Sequence, residues 1–142
     1  MKEKILISAC LLGVDCKYSG GNNRIPDEKL ERLKTEYELI PLCPEAYGGM
    51  TTPRAPSERV GDKVVSKCGS DVTEQYKKGA EAALYLAKLF DVKLAILKEN
   101  SPSCGSGTIY DGTFTGTLVP GDGVTAELLK KHGIAVMGES KL

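Results

Sequence analysis

Short apolar runs alternate along this chain with longer amphipathic stretches and with segments rich in glycine and proline. Residues 4–10, 37–43, 93–98 and 134–137 are runs of four to seven residues, mostly apolar, and read as buried strands. Residues 27–36 form a charged helix with Pro26 at its start and Leu30 and Leu33 facing inward. Asp71-Val72-Thr73-Glu74 matches a capping box and opens the longest helix, running to about Phe90. Its expected buried stripe is Val72, Tyr76, Ala80, Ala83, Ala87 and Phe90, three or four residues apart. A last helix, 124–132, is closed by Gly133. Residues 59–66 resemble a small hairpin turning at Gly61-Asp62. Residues 11–23, 44–57 and 105–119 read as long irregular segments, the last with a short extended piece. Loops of that length are usually functional or disordered.

This order, with helices between successive strands, predicts a parallel sheet with helices on both faces. Right-handed crossovers leave few topologies. The expected fold is a single α/β domain over 1–142, Rossmann-like or flavodoxin-like, with strand order 2-1-3-4 and a hairpin insertion. In such sheets ligands bind beyond the carboxyl ends of the strands.

Composition narrows the function. With 41% hydrophobic residues the chain has material for an ordinary core, and 19 acidic residues balance 19 basic ones. That balance argues against bulk nucleic-acid or anionic-membrane binding. The N-terminal residues lack the apolar stretch of a signal peptide, and no run approaches the roughly 20 apolar residues that span a bilayer. A cytoplasmic protein is expected. There its five cysteines, 10, 16, 43, 68 and 104, should be thiols or metal ligands.

Three of those cysteines share a position. Cys10, Cys43 and Cys104 each follow an apolar run, the last on the loop Ser101-Pro102-Ser103-Cys104-Gly105. Cys68, after the hairpin, breaks the pattern and reads as structural. The close C-x-x-C pairs of structural zinc sites are missing, and ligands from separate strands suit a site assembled by the fold. Thiolates favour zinc, copper(I) or iron–sulfur. On a four-iron cluster, three thiolates would leave one iron open as a Lewis acid. Glu45, two residues after Cys43, can face the same pocket as general acid or base. Ser101 is either a proton donor and acceptor or a turn hydroxyl. Ser101, Ser103 and Arg54 are the candidate substrate contacts, with an ion pair to Glu58 as the other role for Arg54. His132, the only histidine, sits at a helix end, where a cation suits the dipole. A cysteine-phosphatase loop starting at Cys10 would need arginine six residues on, and Cys16 stands there.

Ser8-Ala9-Cys10-Leu11-Leu12-Gly13, Cys16-Lys17-Tyr18, Cys43-Pro44-Glu45, Pro53-Arg54, Gly69-Ser70-Asp71-Val72-Thr73, Gly79-Ala80, Leu97-Lys98, the Ser101–Gly105 loop and Tyr110-Asp111-Gly112-Thr113-Phe114 together resemble a bacterial family long labelled a domain of unknown function, which includes thiouracil desulfurases. The resemblance covers nearly the whole chain. It implies a [4Fe-4S] cluster on Cys10, Cys43 and Cys104, with Cys16 as the alternative to Cys10. It implies an enzyme that turns a thiolated pyrimidine, thiouracil, into uracil and sulfide without redox change, with Glu45 moving protons and Ser101 assisting. Lys17 stands where the family more often has arginine. The competing readings are a non-catalytic cluster carrier or sensor and a cluster-free nucleotide-binding protein.

Overall fold

Strand β1 (Glu3–Ser8) is the strand on which the sheet is built. It runs into a 3-10 turn, Ala9–Leu12, and the chain continues through α1 (Asp27–Glu36), β2 (Tyr37–Leu42), the short helix α2 (Pro44–Tyr47), the hairpin β3 (Ser57–Val60) and β4 (Lys63–Ser66), and the long helix α3 (Thr73–Leu89). Then follow β5 (Leu94–Leu97), the ribbon β6 (Thr108–Tyr110) and β7 (Leu118–Pro120), α4 (Val124–Lys131) and β8 (Ala135–Gly138), with a second 3-10 turn at Glu139–Lys141. The coordinates are a computed structural model and describe residues 2–142.

Parallel pairing joins β1 to β2 from Glu3↔Tyr37 to Ser8↔Leu42, and to β5 at Leu6↔Ala95 and Ile7↔Ile96. β8 pairs with β5 on the far side, so the order is β2-β1-β5-β8. Numbered among the sheet strands alone, this is the expected 2-1-3-4. β1 reads as a continuous apolar run because both of its faces are covered. Leu6, Ala95 and Leu97 pack with Ala83 and Ala87 of α3 and Leu129 of α4. Ile5, Ile7 and Ile96 pack on the other face with Leu33 of α1 and with Leu11. Pro41 is tolerated because β2 is an edge strand.

The segment at 44–57, expected to be irregular, begins with α2, and 105–119 holds a two-stranded antiparallel ribbon with its partner strand ending at Pro120. The capping box does not form. Asp71 Oδ1 accepts from the backbone N–H and the hydroxyl of Thr73, two residues on, and the helix starts at Thr73. Five members of the expected α3 stripe are buried, but Phe90 is 39% exposed. It lies one residue beyond the helix, where the 3.6-residue period no longer fixes direction.

Two glycines set the distance between α2 and α3. A Cβ on Gly79 would overlap the Pro44 carbonyl oxygen, and one on Gly48 would overlap the Gln75 carbonyl oxygen. The short helix that carries Glu45 is thus seated directly on the backbone of the longest one. Among the described residues no helix is long and apolar enough to cross a membrane.

Gly79→Ala should therefore destabilise the fold, although alanine is the better helix former by about 1 kcal/mol. Overpacking of this kind typically costs about 1–3 kcal/mol. A urea unfolding midpoint at or above the wild-type value would show that the two helices need no such approach.

Candidate active site

Because β1, β2 and β5 are parallel, their carboxyl ends lie along one edge, and each is followed by a cysteine. Cys10 lies in the turn directly after β1, Cys43 directly after β2, and Cys104 on the loop that leaves β5. All three line one cavity of about 490 Å³, and Cys16 joins them from the loop after β1. Cys68 is exposed and is not among the residues lining this cavity, so it fills no core. The Cys43 thiol donates to the Cys16 carbonyl oxygen at 3.8 Å.

Three of these sulfurs, those of Cys10, Cys16 and Cys104, sit in an environment that disfavours thiolates. Burial pushes the Cys10 thiol up, with an Asn23 hydrogen bond opposing and the Glu45 carboxylate reinforcing it. Cys16 is pushed up to about 12 by burial and by Cys43 beside it. Cys104 is pushed well up by burial and by Glu45, against hydrogen bonds with Ser8 and Ser103. A metal centre reverses this balance, since a coordinating thiol loses its proton outright. Among the described residues, no three His, Cys, Asp or Glu side chains are grouped to hold a single metal ion. Cysteines ringing a cavity instead suit a polynuclear centre, in which each metal atom takes one protein sulfur.

Glu45 sits in the first turn of α2 and lines the same cavity. Its carboxylate meets the Arg54 guanidinium at 3.5 Å, with the side chains 13% and 7% exposed. Burial raises the Glu45 pKa, and Arg54 opposes that shift. Arg54 does not pair with Glu58, the sequence-based alternative. The Glu58 carboxylate instead accepts from the backbone N–H groups of Gly112 and Phe114. Arg54 also donates through Nη1 to the Cys16 and Thr51 carbonyl oxygens and to Thr52 Oγ1, and its backbone N–H donates to Tyr18. One guanidinium therefore fixes both the carboxylate and the loop that carries Cys16.

Ser101 is a turn hydroxyl and a cavity residue at once. Its Oγ accepts from the N–H groups of Ser103 and Cys104, both at 3.1 Å, so its own proton is what it can offer a ligand. Ser103 is not brought to the cavity. It is fully buried, and its hydroxyl shares a 2.8 Å hydrogen bond with Thr125 of α4. His132 is exposed just after α4 and is not among the lining residues.

Sequence reasoning missed several lining residues. Tyr76 belongs to the buried stripe of α3 yet reaches the cavity, and burial raises its phenol pKa, keeping it neutral. Ser57, 7% exposed, also lines the cavity, with its hydroxyl beside the Tyr76 phenol. Lys98 lines the wall while its ammonium pairs with Glu139 at 2.9 Å. No local pattern marks Ser57. Its position depends on a hairpin meeting the sheet edge.

The chain is similar to known proteins over nearly its whole length. The sequence profile of the 2-thiouracil desulfurase family matches residues 5–141. An uncharacterised protein, YbbK, of Bacillus subtilis (strain 168) is 45% identical over 148 aligned positions, covering 97% of each chain. A solved structure described as a [4Fe-4S]-dependent thiouracil desulfidase, TudS, superposes with a TM-score of 0.95 at 48% identity, over 99% of this chain and 93% of that one.

Removing the cation should expose how far the cavity wall depends on it. Arg54→Met leaves a buried carboxylate unpaired and should cost about 3 kcal/mol in urea unfolding. Adding Glu45→Gln to the same chain should recover much of that loss. Wild-type stability in the single variant would mean that the pair does not hold the wall.

Proposed function

Because this chain belongs to the 2-thiouracil desulfurase family, whose profile spans residues 5–141, we propose that it converts thiouracil and water to uracil and sulfide, using a [4Fe-4S] cluster held in the cysteine-lined cavity. The observation that carries this reading is the meeting of four cysteines, Glu45 and Ser101 in one cavity, in a chain 48% identical to a [4Fe-4S]-dependent thiouracil desulfidase. Cys10, Cys43 and Cys104 are the proposed ligands, with Cys16 as the alternative to Cys10. When bound, such a cluster supplies an iron without a protein sulfur, a Lewis acid for the sulfur of the substrate.

The residues around it supply what a metal does not. Replacing C=S by C=O breaks a carbon–sulfur bond, forms a carbon–oxygen bond and transfers protons from water to sulfide, with no change in oxidation state. A water must lose a proton as it attacks carbon, and the departing sulfide must gain one. Glu45 is the proposed carrier for both transfers. Burial makes protonation of this carboxyl easier, while Arg54 keeps the charged form accessible and oriented. Ser101, with its lone pairs taken by two backbone N–H groups, is a one-way donor and would hydrogen-bond the substrate heteroatom or the attacking oxygen. Arg54 is spent on Glu45 and the Cys16 loop, so its proposed contribution is positioning of these groups beside the substrate.

Two outcomes test this. After anaerobic reconstitution, Cys10→Ala, Cys43→Ala and Cys104→Ala should each lose the cluster absorbance near 400 nm together with iron and sulfide, while Cys68→Ala keeps them. Full iron and sulfide in Cys43→Ala would show the ligand set to be wrong. Glu45→Gln should keep the cluster and lower sulfide release from thiouracil by a factor of about 10²–10⁴. Near-normal turnover in that variant would remove Glu45 from the chemistry.

A further inference from the structure

We propose that Phe114 is a stacking surface for the face of the substrate ring, and that the buried carboxylate of Glu58 exists to hold it there. The proposal rests on the desulfurase reading above, since it takes a flat pyrimidine as the ligand. Phe114 lines the cavity, in a motif with no role in cluster binding or proton transfer. Its backbone lies in the left-handed region, at φ 59°. A bulky residue adopts that conformation at a cost, and only where its surroundings impose it.

The surroundings here are specific. Glu58 is 8% exposed, yet its carboxylate has no arginine at hand: Arg54 pairs with Glu45 and Arg59 with Glu127. Glu58 Oε1 instead accepts from Gly112 N–H at 2.9 Å and from Phe114 N–H at 3.1 Å. A buried carboxylate satisfied only by the amides of one loop fixes that loop. Asp111 tightens the same turn by accepting from the N–H and the hydroxyl of Thr113. Gly112, at φ 98°, packs so close to Val60 of the hairpin that a side chain would collide with it. The hairpin thus acts as a backing plate for the loop, which holds the Phe114 backbone in place while its side chain lines the cavity.

A ring held this way at the wall of a cavity for a planar heterocycle offers a π-face. Aromatic stacking on a nucleobase is strong and depends on planarity. A saturated ring of the same size and hydrogen-bonding edge lacks the matching face. Uracil and 5,6-dihydrouracil form such a pair, and neither carries sulfur, so their binding is read apart from turnover.

The experiment is anaerobic equilibrium dialysis of both compounds against cluster-loaded protein, with absorbance near 400 nm and thermal melting confirming each variant. Wild type should prefer uracil. Phe114→Ala should weaken uracil by about tenfold and dihydrouracil far less, so the preference collapses, whereas Phe114→Tyr should retain it. Glu58→Ala should lose the preference as Phe114→Ala does, and Glu58→Gln, which keeps an acceptor oxygen, should restore it. An unchanged preference in Phe114→Ala, an equal loss for both compounds, or no preference in wild type would overturn the stacking role. A full preference in Glu58→Ala would overturn the positioning role. If Glu58→Ala does not fold, a failure of Glu58→Gln to keep the preference in a stable protein would count against it equally. Sulfide release from thiouracil by the same wild-type preparation is measured alongside: its absence defeats the desulfurase reading, and the binding ratio still decides the Phe114 question.

Discussion

Parallel strand pairing is the constraint on which this molecule depends. A parallel strand cannot be reached by a tight turn, so every connection crosses a face of the sheet and every strand ends at the same edge. β1 is paired on both sides, with β2 and β5 as its neighbours. A cysteine shortly after each of the three is therefore delivered to one place by backbone hydrogen bonding alone. No sequence-local motif is needed, and the proposed ligands can be 33 and 61 residues apart along the chain.

Delivery is half of the construction; the other half is electrostatic. The cavity gathers four cysteines and a carboxylate, and burial penalises the ionised forms of Cys10, Cys16, Cys104 and Glu45. Arg54 answers one of these charges directly, and the glycine contact between α2 and α3 holds Glu45 at the right depth to meet it. The thiols of Cys10, Cys16 and Cys104 favour the protonated form until something more strongly positive than a side chain arrives. That imbalance suits a cluster-binding site before loading: thiols in place, and protons released on metal binding.

The sheet was legible in the sequence because its strands are covered on both faces and read as unbroken apolar runs. The shared edge followed from strand order, and Cys10, Cys43, Cys104 and Glu45 followed from the edge. What was not legible depended on tertiary meetings. Ser103 looked like a ligand contact on a polar loop, but Thr125 of α4 claims its hydroxyl in the core. Sequence proximity leaves Arg54 open between a ligand contact and a pair with Glu58, whereas the fold gives it Glu45 and gives Glu58 two loop amides. Tyr76 obeyed the helical period and was read as core, because periodicity cannot tell a buried side chain from one that ends in a cavity. Phe90 failed for the opposite reason, since its position followed the period one residue past the helix.

The claim that three strand-end cysteines hold a four-iron centre with one iron left for the substrate is tested most directly by Mössbauer spectroscopy of protein reconstituted anaerobically with ⁵⁷Fe. The expected spectrum contains one iron distinct from the other three, and adding thiouracil should shift that iron alone. Four equivalent irons that do not respond to thiouracil would contradict it, because a fourth protein sulfur, such as Cys16, would then close the site that the substrate requires.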